Sequence, residues 1–190
     1  MKRFLLVACT LVAQSALALT NKPNHMVYPG CEAPSNTYSR IVVLDASKGN
    51  TVQKYFDSNQ ARPGDHLQLA GNHGSLLITG AKHTAFAASA SWVWVEGLAG
   101  SQLKSVDLRG IKRFLLTDLR VQNPTGKLVY ASNSTNVSVL RSVLIGTTDS
   151  ANWGIDEWMQ APNAMMSDNS TCVAFSRNST STGSAASATP

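Results

Sequence analysis

Long apolar runs are missing from this 190-residue chain once its first nineteen residues are passed. No later segment reaches the roughly 18 apolar residues that a bilayer-spanning helix needs, so no membrane span is expected. Helical periodicity is nearly absent as well. Only Val52, Tyr55 and Phe56 fall at i, i+3, i+4 over a useful stretch, which excludes a regular alternation of strands with crossover helices. The dipeptides Asn-Gly and Asp-Gly do not occur. They are the strongest short-range signals of two-residue hairpins, and their absence argues against an ordinary antiparallel sandwich. Charge is sparse, at 14% of residues, and the formal net charge is only +5. So mild a basic balance does not call for nucleic acid, and none is expected as a partner.

The first residues carry a different signal. Lys2 and Arg3 form a basic start, Phe4 to Val12 an apolar run, and Ala16-Leu17-Ala18 a small-x-small site. This is the pattern of a secretory signal peptide over residues 1–19, which places the protein outside the cell or in the periplasm. Its removal takes Lys2 and Arg3 away, so the formal charge falls from +5 to +3. Of the three cysteines, Cys31 and Cys172 then remain. In an oxidising compartment they either pair, tying the N-terminal segment to a late strand, or stay as two buried thiols.

What the chain has in quantity is short strands separated by polar turns. Residues 20–40 are polar and rich in Pro and Asn, reading as an extended segment. Ile41-Val42-Val43-Leu44 is a strand, and Asn50 or Thr51 caps a short helix over 52–59. Arg62-Pro63-Gly64-Asp65 is a turn into the strand His66–Ala70, and brief strands follow around Leu77, Val93, Leu108, Leu116, Val129, Val143 and Val173. One phrase occurs twice: Leu116-Thr117-Asp118-Leu119-Arg120-Val121 and Leu140-Arg141-Ser142-Val143-Leu144-Ile145 share an apolar skeleton 24 residues apart. Recurrence at such a period marks a solenoid, in which each unit buries its apolar row against its neighbours. Leu116, Leu119, Val121, Leu140, Val143 and Ile145 are therefore expected in the core, stacked pairwise at an offset of 24. Residues 179–190 are Ser/Thr/Ala/Gly-rich and are expected as a disordered tail.

Arg62-Pro-Gly-Asp65 with Leu69 after the short helix, the stretch Arg113–Asn123, and that from Ala161 through Asn178 resemble the right-handed parallel β-helix proteins: pectate-lyase-like enzymes, other polysaccharide lyases and phage tail-spike proteins. The resemblance implies an all-β right-handed parallel β-helix of about four rungs over residues 41–178, with a short N-terminal capping helix. It implies no particular activity, since such scaffolds host lyases, hydrolases and adhesins alike. No C-terminal cap is legible, so the chain reads either as a piece of a longer β-helix or as one that associates with further copies through its last rung.

Two groups of residues are candidates for chemistry. Asn152–Trp158 is an insertion carrying Trp153, Asp156, Glu157 and Trp158. Aromatic faces and carboxylates on a loop are what a sugar site uses, though the same tryptophans would serve as a hydrophobic plug. The second group is the string Lys104, Asp107, Arg109, Lys112, Arg113, Asp118 and Arg120, which stacking would join to Arg141. Arg109, Arg120 and Arg141 as one outer patch would suit an anionic polysaccharide and the charge that develops in lyase β-elimination; mixed charges also simply keep a solenoid exterior soluble. Trp92 and Trp94 alternate with Val93 and Val95, so one pair faces inward; the valines are the conventional choice, though either parity works, and an exposed tryptophan pair could bind a glycan or a partner chain. His66, His73 and His83, spaced 7 and 10 apart, match no metal-ligand motif and read as turn or surface histidines. The Asn-x-Ser/Thr sequences at Asn133, Asn136, Asn169 and Asn178 read as solenoid corners. The function expected is therefore binding or degrading extracellular polysaccharide, with a glycan-binding, adhesion or virion protein as the alternative; no catalytic set, metal site or cofactor is named.

Overall fold

In the computed structural model, residues 31–35, 37–124, 126–146, 163–176, 179–180 and 185–188 are described. Residues 1–30, the stretch that carries Trp153, Asp156, Glu157 and Trp158, and part of the tail lie outside them. Strands are numbered in chain order, and all pair in parallel. The first sheet contains, in spatial order, β1 (Arg40–Asp45), β2 (Asp65–Ala70), β4 (Val93–Gly97), β6 (Lys112–Thr117), β9 (Thr135–Leu140) and β12 (Thr171–Ser176). The second contains β3 (Ser75–Thr79), β5 (Ser105–Arg109), β8 (Val129–Ser132), β11 (Asn163–Asp168) and β14 (Ala185–Ala188). The third contains β7 (Arg120–Gln122), β10 (Val143–Ile145) and β13 (Ser179–Thr180). The fold is thus mostly β, with open parallel sheets, and from β6 onward the chain visits the first, third and second sheets in rotation.

Parallel pairing sets like positions side by side about 4.8 Å apart. The inner file of the first sheet is aliphatic or aromatic throughout: Val42, Leu67, Val95, Leu116, Val139 and Phe175 are partners in register. Leu76, Val106, Val129 and Met165 form the facing file on the second sheet. Val93 and Val95 point inward and are fully buried.

The offset between successive circuits is 23 residues, not 24. Val121 pairs with Leu144 and Arg120 with Val143, while Leu119 N–H donates to Ser142 Oγ at 3.2 Å. Leu116 is partnered by Val139, not Leu140. Leu116, Leu119, Val121, Leu140 and Ile145 are buried as expected, but Val143 faces out at 39% exposure. A one-residue slip exchanges the faces of a strand, and the repeated phrase misled because Leu140 is an outward residue whose burial comes from Trp92 and Leu115. The first sheet has six strands, more than the four rungs expected. Its early circuits of 25, 28 and 21 residues keep no constant period (Val42 to Leu67, Leu67 to Val95, Val95 to Leu116). The tail, too, carries strands, β13 on β10 and β14 on β11.

Helix α1 (Val52–Asp57) is capped by Thr51, whose hydroxyl accepts from Lys54 N–H. It sends Val52 and Phe56 into the core, and its Gln53 does a strand's duty. The Gln53 amide accepts from Leu77 N–H at 2.6 Å and donates to Leu77 C=O at 3.1 Å, pairing the outer edge of β3 as a neighbouring backbone would. Such edges otherwise invite other chains.

Two measurements check this description. Val121→Asp, at a fully buried site, should cost several kcal/mol and abolish cooperative folding, whereas Val143→Asp should shift the denaturation midpoint by less than about 0.5 kcal/mol. Gln53→Ala should speed hydrogen exchange at Leu77 and cost about 0.5–1.5 kcal/mol, since the two hydrogen bonds lie at an exposed edge where water can replace them.

Candidate functional site

Corners decide which side chains meet. Three columns of left-handed residues run along the fold: Gly110, Asn133 and Asn169 (φ 62°, 47° and 42°), Arg113, Asn136 and Cys172 (61°, 58° and 56°), and Asp118 with Arg141 (55° and 50°). Gly and Asn adopt this conformation readily, other residues at a cost of roughly 1–2 kcal/mol. Asn133 and Asn169 are corners, as expected, whereas Asn136 lies within β9 as a left-handed residue of that strand; Asn178 lies outside the described residues.

These corners divide the three arginines between elements. Arg109 ends β5 on the second sheet, Arg120 begins β7 on the third, and Arg141 occupies the corner between β9 and β10. Arg141 is chelated by Asp118, one circuit earlier, at 2.9 and 2.6 Å. Arg109 is held by Asp107 on its own strand. The adjacent carboxylates raise the pKa of both guanidinium groups. No single arginine patch exists, because Arg109 lies on a different sheet from the others and two of the three are already neutralised.

A different cationic cluster lies on the outer face of the second sheet. Asp107 of β5 pairs with Tyr130 of β8. Lys127 Nζ sits 3.9 Å from the Tyr130 ring centroid, and the Arg109 guanidinium carbon 5.7 Å from it. The 23-residue offset that pairs Val106 with Val129 also sets Lys104 and Lys127 at the same position of successive circuits. Both lysines are exposed, and among the described residues neither forms an ion pair. Like charges set side by side in a sheet are unfavourable. Tyr130 OH reaches Asp168 only at 3.4 Å. Sequence reasoning reached Lys104, Asp107 and Arg109 but missed Lys127 and Tyr130. Spacings of 23 from Lys104 and Asp107 were the available signal, and a period of 24 obscured it.

The outer face of the first sheet is organised otherwise. Trp94 stacks flat on His66, with centroids 3.7 Å apart and planes 4° apart, and Tyr38 leans on both. Glu96 accepts from Gln68 at 2.9 Å and meets His66 Nε2 at 2.9 Å. The His66 contact first, then Gln68, holds Glu96 below the usual carboxylate range. Trp94 Nε1–H donates to Thr117 Oγ1. The tryptophans face outward, but Trp92 is only 5% exposed, so the pair offers no bare platform.

Compared with family models, curated proteins and solved structures, the chain matches none.

Among the described residues no group of His, Cys, Asp and Glu could hold a metal ion, and the three histidines are buried, not on the surface. Each is spent on its own neighbours. His83 Nδ1 accepts from Thr79 N–H, and its Nε2 meets Asp57 at 3.2 Å. His73 Nδ1 accepts from Val52 N–H while its Nε2–H donates to Ala70 C=O, both at 3.0 Å. That pair of bonds fixes a neutral tautomer, and burial pushes the His73 pKa below the usual histidine value.

A depressed histidine pKa means that the unfolded chain binds the proton first. Its contribution is complete above about pH 6.5 and is lost as pH falls from there through the folded value, by at most about 1.4 kcal/mol per unit. The melting temperature should therefore be flat from about pH 7 to 9, decline below 6.5, and fall again above about pH 10, where the unfolded chain loses the Tyr38 proton first. His73→Gln, whose amide keeps a donor and an acceptor but does not titrate, should remove the histidine slope and leave the separate fall below about pH 4.5 from the depressed carboxylates Glu96, Asp57, Glu32 and Asp45.

Proposed function

We propose that the circuits of this chain form a right-handed parallel β-helix, and that the protein is exported and binds extracellular anionic polysaccharide along the outer face of the second sheet. The observation that carries the reading is the column of unneutralised Lys104 and Lys127 beside Tyr130 and Arg109. Two cations at one position of successive circuits with no carboxylate partner repel each other, and only Lys127 is compensated, by its packing on Tyr130; an anionic polymer lying along the sheet would relieve that repulsion. A linear polymer with a charge on each repeat suits a file that itself repeats at a fixed rise. The Lys127–Tyr130 pair adds an aromatic edge against which a sugar ring can pack. Cations so placed would also stabilise the charge that builds on a uronate during β-elimination, so degradation by a lyase step is the active form of the same reading. A leader at 1–19 and a disulfide between Cys31 and Cys172 support an oxidising destination.

Retention on immobilised polygalacturonate and alginate tests the reading. The native protein should bind and elute with salt. Lys104→Ala/Lys127→Ala should weaken binding at least tenfold and flatten the dependence of log affinity on log salt by roughly two, one for each cation removed. Arg141→Ala, at a guanidinium already chelated by Asp118, should leave retention unchanged. Unaltered binding by the double variant would end this assignment. New ultraviolet absorbance from unsaturated uronate in the same mixtures would separate a lyase from a binding module.

A further inference from the structure

The first sheet is crossed on its outside by the segment that precedes β1. Cys31 is bonded to Cys172 on β12, at one edge of that sheet, and Ser39 leads into β1 at the other. Five strand spacings of about 4.8 Å separate those edges, about 24 Å; the eight Cα steps from Cys31 to Ser39 reach about 28 Å at full extension. The chain from Cys31 to Ser39 therefore has little slack over the width of the sheet.

Between its ends the segment is held at few points. Glu32 forms a bidentate ion pair with Arg113, and the arginine also donates to Ser89 C=O. Tyr38 packs on His66 and Trp94, with burial raising its hydroxyl pKa. Ser39 N–H donates to Gly64 C=O at 2.7 Å, in a turn where Gly64 has φ +92° and a Cβ would meet Ser39 Oγ at 2.6 Å.

What lies on the crossed face is not ordinary exterior. Trp92, Leu115 and Leu140 are buried as a cluster apart from the main core, with Tyr38 and Trp94 packed against it. His66 is 5% exposed, whereas the outward residues of uncrossed β1, Ile41 and Val43, are 64% and 59% exposed. Both far anchors, Arg113 and Cys172, belong to one column of left-handed residues, where backbone strain is held in place by surrounding contacts. Asn136, between them in that column, keeps a buried Oδ1 without a partner, a cost that rehydration would remove.

We propose that residues 31–39 are a disulfide-latched strap: with Cys31 and Cys172 bonded it seals the aromatic face, and reduction frees it to swing from β1, baring His66, Trp94 and the Glu96 carboxylate while the sheets persist. The step is thiol–disulfide exchange. A dithiol supplies two electrons and two protons, the Cys31–Cys172 bond breaks to two thiols, and the dithiol leaves as its cyclic disulfide.

The three buried histidines supply the test. His66 lies under the strap; His73 and His83, at 3% and 4% exposure, pack against Val52 and Ala70 and against Thr79 and Asp57 instead. The native protein, with and without dithiothreitol, is treated with diethyl pyrocarbonate, and modification is mapped by peptide mass spectrometry. Reduction should speed labelling of His66 at least tenfold, leave His73 and His83 protected, shift tryptophan emission to the red and preserve the far-ultraviolet dichroism. Cys31→Ser/Cys172→Ser should behave as the reduced protein without any reductant. Unchanged protection of His66 after reduction would mean that the remaining contacts hold the strap without the bond. Loss of protection at all three histidines together would make the disulfide a clamp on the whole fold. Either result overturns the latch, and neither bears on the lysine column of the second sheet.

Discussion

Every feature of this chain answers to one constraint: like positions of successive circuits must stack in register. Val42, Leu67, Val95, Leu116, Val139 and Phe175 can share a file only if each circuit returns the backbone to the same phase. A slip of one residue would turn the apolar row of a strand outward. Differences in circuit length must therefore be absorbed between strands. Over the last three circuits the left-handed residues Gly110, Asn133 and Asn169 turn the chain at the same place, and Arg113, Asn136 and Cys172 repeat the same backbone conformation near the starts of β6, β9 and β12.

The same constraint governs the electrostatics. Stacking converts sequence neighbours at a distance of one circuit into spatial neighbours, so each charge is judged by what stands above and below it. Asp118 and Arg141 resolve this by pairing across one circuit, and Asp107 with Arg109 along one strand. Among the described residues Lys104 and Lys127 form no ion pair, as is true of Arg62, Lys112 and Arg120, but Lys104 and Lys127 share one position of successive circuits. On the first sheet imidazole, indole and carboxylate satisfy one another beneath the crossing segment.

Legibility of the sequence followed the same divide between strand and circuit. Short strands, a small helix starting at Val52 and the polar corners at Asn133 and Asn169 were readable because each is a local property, whereas which of the alternating pairs at 92–95 turns inward was not. The circuit length was not, since a repeated phrase at 24 residues mimics a true offset of 23 when Leu140 happens to be apolar for another reason. From that single residue followed the misplacement of Val143 and the failure to see Lys127 and Tyr130 beside Lys104 and Asp107. The arginines were misjoined because adjacency along a strand does not reveal on which sheet a neighbouring strand falls. The burial of His66, His73 and His83 was hidden too, as each finds partners 3 to 30 residues away that no spacing rule anticipates.

One circuit is longer than those before it. From Val129 to Met165, and from Val137 to Val173, the offset is 36 residues in place of 23, yet pairing resumes in phase on both sides. The extra length is taken up wholly between β10 and β11, with nothing asked of the strands. Length between β10 and β11 is consequently free to vary while the register on either side is kept. A foreign peptide exchanged for the stretch there would be displayed from a scaffold whose register is already fixed by the files on either side, which makes the chain a frame for presenting epitopes or binding loops of varied length.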